Sequence, residues 1–158
     1  MPNSITVVNS TPLIVMSNIG RLDILQQLYG SIVIPEAVRD EVSIKDPTLI
    51  ARQDWIEIVP IKNQAAKEAF ASVLHIGEVE VMILAKEIQA ALVILDDGLA
   101  RKHAKYLKLN LTGTIGVLLK AKKEKIIEHL KPLLDEIIRN GFYLSDNIYQ
   151  EVMILADE

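Results

Sequence analysis

The chain contains no cysteine, which removes disulfides, thiolate metal sites, iron–sulfur clusters and cysteine nucleophiles together. Aromatic residues make up only 4% of it, so leucine, isoleucine, valine and alanine must fill the interior. The same scarcity disfavours the stacked aromatic platforms that hold single-stranded bases. No apolar run approaches the about 20 residues of a membrane span, and the longest are strand-sized. The opening Met1-Pro2-Asn3-Ser4 carries no basic residue, so no secretory leader is expected and the cytoplasm is the expected compartment. Also missing are G-x-G-x-x-G and G-x-x-x-x-G-K-[ST], which excludes two common nucleotide cradles, and G-x-S-x-G, which disfavours serine acyl transfer. The first apolar run ends in Asn9-Ser10, where a phosphoaspartyl enzyme or a phosphoacceptor receiver domain would place acids.

What is present suits one folded domain over residues 1–158: half of the residues are hydrophobic and 24% are charged. The net charge of −4 hides a segregation. Nine of the 17 bases lie between Arg101 and Lys131 against only Glu124 and Glu128, so that tract carries +7 and the remainder −11. Such a tract is either a phosphate-contacting rim beside a carboxylate site or the solvated face of helices.

Short β-branched or apolar runs alternate with helical spacing along the chain. Strands are expected at Ile5–Val8, Ile32–Ile34, Ile56–Val59, Leu92–Leu95 and Leu109–Leu111, several of them stopped by Asn, Pro or Asp. Between them, helices are expected from Pro12 through Leu28, after Pro35, from Gln64 to Leu74 with Asn63 as cap, and from Glu78 to Gln89. Further helices follow over Leu99–Leu107, from Gly113 through Lys123, over Ile126–Asn140 closed by Gly141, and over Ser145–Ala156 capped by Ser145. Strands alternating with helices imply a central parallel sheet in a three-layer α/β/α sandwich, because parallel neighbours need crossover connections. Sites in such sheets form outside the carboxyl ends of the strands.

Those ends and the neighbouring helix starts carry Asn9, Glu41, Glu78, Asp96 and Asp97, all oxygen donors. Hard cations such as Mg²⁺ and Mn²⁺ take oxygen ligands, and acids converging on one cleft repel each other unless a cation is bound. Each residue also has a plain structural reading. Asn9 is a good cap for the helix near Pro12, Glu41 suits a solvated surface, and Glu78 suits the positive end of a helix. Asp96 and Asp97 could cap the helix that follows, although two adjacent acids exceed what a cap requires. His75, His103 and His129 share no metal-ligand spacing, and His75 stands three before Glu78, at a possible rim. Arg101 and Lys102 follow the acids directly, and Thr112 and Thr114 lie in a turn after a strand, all within reach of a phosphate backbone.

Several strings then become recognisable in order: Val7-Val8-Asn9-Ser10-Thr11-Pro12-Leu13-Ile14, Ile34-Pro35-Glu36-Ala37-Val38-Arg39-Asp40-Glu41-Val42 and Gly77-Glu78-Val79-Glu80. Leu95-Asp96-Asp97-Gly98-Leu99-Ala100-Arg101, Thr112-Gly113-Thr114-Ile115-Gly116-Val117-Leu118 and Gly141-Phe142-Tyr143-Leu144-Ser145 continue them. Together they resemble a prokaryotic branch of the PIN-domain nucleases over nearly the whole chain. The resemblance implies a parallel sheet, a Mg²⁺- or Mn²⁺-dependent endoribonuclease, often a toxin opposed by a cognate antitoxin, and a homodimer. It places the family's acids on Asn9, Glu41, Glu78 and Asp97, with Asp96 adjacent. Glu41, Glu78 and Asp97 would then hold the cation with help from Asp96, Asn9 would orient water, and Arg101 or Lys102 would touch RNA. The family's first acid is an aspartate, and Asn9 keeps the oxygen but loses the charge. An inefficient or inactive module that binds RNA or an antitoxin is therefore the alternative expectation.

Overall fold

Parallel strands cannot be joined by tight turns, and this chain spaces its strands with helices throughout. The computed structural model describes residues 4–70 and 74–158. Strands β1 (Thr6–Val8), β2 (Ile32–Ile34), β3 (Ile56–Ile58), β4 (Leu92–Ile94) and β5 (Leu111–Thr112) form an all-parallel sheet in the order β3-β2-β1-β4-β5. The helices flanking it are α1 (Ser10–Asn18), α2 (Asp23–Tyr29), α3 (Glu36–Lys45), α4 (Gln64–Phe70) and α5 (Ile76–Glu87). The chain continues through α6 (Gly98–Tyr106), α7 (Thr114–Lys123), α8 (Lys131–Arg139) and α9 (Asp146–Leu155). This is the layered α/β architecture that the alternation predicts. Among the described residues no helix is long and apolar enough to cross a membrane.

The three central strands β1, β2 and β4 are short and almost wholly apolar, as befits strands covered on both faces, whereas the edge strand β3 exposes Glu57 and Ile58. Val7, Val8, Ile32, Ile34, Val93 and Ile94 are buried, and Leu13, Met16, Leu84 and Leu118 from the helices complete the core around them. Aliphatic side chains supply nearly all of this interior, as the aromatic scarcity requires. Strand order runs outward from β1 in both directions, through β2 to β3 and through β4 to β5. The point of reversal lies between β1 and β4, whose register pairs Val8 with Ile94. The residues just beyond, Asn9 on one strand and Leu95 to Asp97 on the other, therefore emerge side by side where such sheets place their sites.

Several element boundaries differ from the expected ones for identifiable reasons. The helix expected from Pro12 through Leu28 is two helices, α1 and α2, because Gly20 adopts φ +69° and the Arg21 amide turns back to the Met16 carbonyl at 2.9 Å. The helix expected over Ile126–Asn140 begins only at Lys131. Pro132 has no N–H and fits only the first turn, so the residues before it cannot be helix interior. The last strand is Leu111–Thr112 rather than Leu109–Leu111, since Lys108 at φ 61° closes α6 and the Leu109 amide is taken by the Ala104 carbonyl. Asn63 does cap α4, its Oδ1 accepting from the Ala66 amide at 3.0 Å, and Ser145 caps α9 through the Ile148 amide. The expected extension of α4 over residues 71–73 lies outside the described residues, and Leu74 is not helical.

Candidate functional site

The Asn9 amide donates to the Ile94 carbonyl at 3.0 Å, extending the β1–β4 ladder one residue into the site. Asn9 stands at the N-cap position of α1 in extended conformation, yet its side chain makes no capping bond. Only 4% of the residue is exposed, and its Oδ1 is buried with no hydrogen-bond partner among the described residues. The capping reading of Asn9 therefore fails. A buried acceptor left unsatisfied costs about 1–3 kcal/mol, so the position calls for an explanation.

Beside it, Ser10 opens α1 and donates from Oγ to Glu41 Oε2 at 2.8 Å, joining residues far apart in the chain. Glu41 projects from α3 over Gly77 in the first turn of α5. A β-carbon at Gly77 would stand 1.9 Å from Glu41 Oε1, so only glycine leaves room for the carboxylate there. Glu78 follows immediately and is 8% exposed. Burial pushes its carboxyl above the usual glutamate value, the carboxylates of Asp97 and Glu41 push it further, and His75 partly offsets them. Glu41 from α3, Glu78 from α5 and Asp97 from beyond β4 thus share one electrostatic neighbourhood, which His75 also influences.

The two adjacent aspartates have separated. Asp97 is exposed and caps α6, Oδ1 accepting from the Ala100 amide at 2.9 Å. Asp96 has both oxygens engaged by a single residue: Oδ1 accepts from the Thr114 amide at 2.8 Å, and Oδ2 from the Thr114 hydroxyl at 2.6 Å. Asp96 therefore ties the end of β4 to the start of α7. Thr114 is completely buried, and the Thr112 hydroxyl lies where a β-carbon on Gly116 would clash at 2.0 Å. Arg101 is half-buried and donates from Nη1 to the Leu95 carbonyl at 3.0 Å, whereas Lys102 is exposed on α6.

Two other lysines of the basic tract have different partners. Lys120 and Lys122 stand at the far end of α7 from Thr114, Lys120 over the Tyr29 ring at 4.7 Å and Lys122 paired with Glu158 at 2.8 Å. These two lysines serve packing and a salt bridge at a distance from the acids.

Three contributors escaped the sequence reading although they stood inside the quoted strings. Ser10 orients Glu41, and Gly77 makes space for it. Glu80, 4% exposed, accepts from the Ala37 amide at 3.0 Å and pairs with Lys67 at 2.6 Å, anchoring the start of α3 to α5. The only sequence signal for Glu80 was an acid in a run otherwise buried, Val79 to Leu84.

Among the described residues no three His, Asp or Glu side chains stand in a ready-made metal cage. The donor chemistry nevertheless fits a hard divalent cation. Asn9 carries an unpartnered buried carbonyl oxygen, Asp97 and Glu41 disfavour the charge of Glu78, and Mg²⁺ is commonly held by only one or two carboxylates, with water and substrate phosphate completing its shell.

An all-parallel α/β domain flanked by helices is the class that the fold defines. A family model described as PIN domain matches residues 5–158, and the chain belongs to that family. No curated protein matches it.

Proposed function

We propose that this PIN domain is a divalent-cation-dependent endoribonuclease. The observation that carries the reading is the buried Glu78, whose charged form burial, Asp97 and Glu41 all disfavour; the orphaned Asn9 oxygen at the end of β1 adds to it. Glu41, Glu78 and Asp97 would hold Mg²⁺ or Mn²⁺, in keeping with the metal dependence typical of the family. Bound there, the cation supplies an activated water and neutralises charge on the scissile phosphate.

The remaining groups act by position. Ser10 holds Glu41 through its Oε2, and Gly77 lets that carboxylate lie against the start of α5. Asp96 acts through Thr114, fixing the loop that presents Asp97. Thr114, completely buried, serves this turn, and the partly exposed Thr112 would contact the phosphate backbone. Lys102, exposed on the helix that Asp97 caps, is the residue placed to contact a phosphate backbone, and Arg101 stiffens the loop by holding the Leu95 carbonyl. The family resemblance extends the proposal to a toxin with an antitoxin partner and to a homodimer.

One observation favours a second reading. A neutral Asn9 in place of an acid weakens the charge that attracts the cation, so the domain could be a binding module with little turnover. The deciding experiment incubates wild type, Glu78→Gln and Asn9→Asp with a mixed RNA pool and Mn²⁺. Cleavage by wild type that Glu78→Gln abolishes supports the nuclease. Cleavage by Asn9→Asp alone supports the module, and inactivity of all three rejects the nuclease.

A further inference from the structure

The bases of the tract from Arg101 to Lys131 divide by what surrounds them. Lys120 lies over Tyr29, Lys122 pairs with Glu158, and Lys131 pairs with Asp135. Lys102 and Lys105 on α6, and Lys108 just after it, are exposed and form no ion pair with any described residue. No acid occurs anywhere from Gly98 to Lys123. Lys86 adds positive charge at the far end of α6, its Nζ donating to the Leu107 carbonyl at 3.1 Å. Ala100 and Ala104 are buried and hold α6 against the domain. On the opposite side, Lys102 has Leu99 three positions before it, Lys105 three after and Tyr106 four after, so these four share one outward face. Leu99 is 48% exposed there and Tyr106 87%. Asp97 caps this helix, and Tyr106 lies about 13 Å further along its axis at 1.5 Å per residue.

We propose that this face of α6 holds an unpaired RNA strand, with Tyr106 stacking on one base and Lys102 and Lys105 on the phosphates around it. The inference rests on the reading above in taking RNA as substrate, and it adds the form of the strand and its path away from the acids. Lysines without acidic neighbours call for an anionic occupant, and a tyrosine among them suits one whose anions alternate with flat apolar rings. A duplex keeps its base faces covered by their neighbours, so its bases cannot use Tyr106, whereas an unpaired strand offers them. The low aromatic content forbids a platform of several rings. One ring takes one base, and every base has a face to stack, so the contact tolerates any sequence.

The test measures fluorescence anisotropy of a fluorescein-labelled RNA of mixed sequence, alone or annealed to its complement, on the whole protein. Divalent cations are left out so that nothing is cut. Tyr106→Ala weakens binding of the single strand by about tenfold and leaves the duplex unchanged, and Tyr106→Phe, which keeps the ring, binds like wild type. Tyr143 is equally exposed, at 87%, between α8 and α9, and Tyr143→Ala changes neither affinity. Lys102→Ala and Lys105→Ala each flatten the slope of log affinity against log salt by about 0.7. Circular dichroism checks the fold of each variant. An unchanged single-strand affinity in Tyr106→Ala, an equal loss on the duplex or in Tyr143→Ala, or an unaltered salt slope in both lysine variants overturns this inference and leaves the face to a protein partner. The nuclease reading is judged separately, by Mn²⁺-dependent cleavage that Glu78→Gln abolishes, and survives each of those results. Wild type that neither binds nor cuts RNA overturns both.

Discussion

Two sets of glutamates in this molecule meet opposite treatment. Glu80, Glu87 and Glu158 are surrounded by donors. Glu80 takes the Ala37 amide and the Lys67 ammonium, and Glu87 takes the Lys62 and Asn63 amides at the start of α4. Glu158 takes Lys122 and the amides of Leu130 and Lys131. Burial works against the charge of Glu158, but Lys122 and the two amides outweigh it and hold the carboxyl down at about 2. Glu78 is treated in the reverse way, raised by burial and by Asp97 and Glu41. The first set joins elements that propensity alone would leave apart. The second sets carboxylates that disfavour one another's charge, an arrangement that does not favour folding.

Removing members of each set should therefore move different quantities. The largest effect is expected from Glu78→Gln, which lowers RNA cleavage by about 100-fold in a fixed-time assay while leaving the melting temperature unchanged or higher. Glu80→Ala does the opposite, leaving the half-buried Ala37 amide and Lys67 without their acceptor. It should lower stability by about 2–3 kcal/mol in urea unfolding. Glu158→Gln follows at about 1–2 kcal/mol, reduced by solvent screening of a surface group.

The two glutamates should also differ in pH dependence. The folded value of Glu158 is depressed, so its contribution is complete above the ordinary glutamate value of 4.5 and disappears as pH falls toward 2. Glu78 is raised, so the folded state binds its proton more tightly than the unfolded chain, and acidification through its folded value relieves a strain. Thermal melts across pH 2–7 should show the acid loss missing in Glu158→Gln and the relief missing in Glu78→Gln. The smallest effect concerns neither set. Lys108 adopts φ 61° at the end of α6, and Lys108→Gly should raise stability by a few tenths to about 1 kcal/mol, measured by the same unfolding experiment.

Much of the fold was legible because the central strands are short apolar runs with a visible stop. Ile32–Ile34 before Pro35 and Leu92–Ile94 before Asp96-Asp97 needed no tertiary information. The errors came from local features outweighed by periodicity: Gly20 inside an apparent helix, Pro132 inside another, and a left-handed lysine that shifted β5. At the site, residue type pointed to Asn9, Glu41, Glu78 and the aspartate pair as oxygen donors. It could not say that Ser10 reaches Glu41 or that Gly77 is vacant for that carboxylate's sake, because those contacts span 31 and 36 positions of chain.

The sequence by itself determined the element types, the parallel sheet and the chemistry of the available donors, since periodicity and side-chain composition are local properties. Only the tertiary structure decided which donors remain free to bind. Asp96 and Asp97 are chemically alike and adjacent, yet Thr114, eighteen residues beyond Asp96, engages one and leaves the other exposed. Asn9, a good helix cap by type, is denied that role and keeps a buried oxygen without a partner. Hydrogen-bond partners are assigned by proximity after packing, and packing is a property of the whole chain.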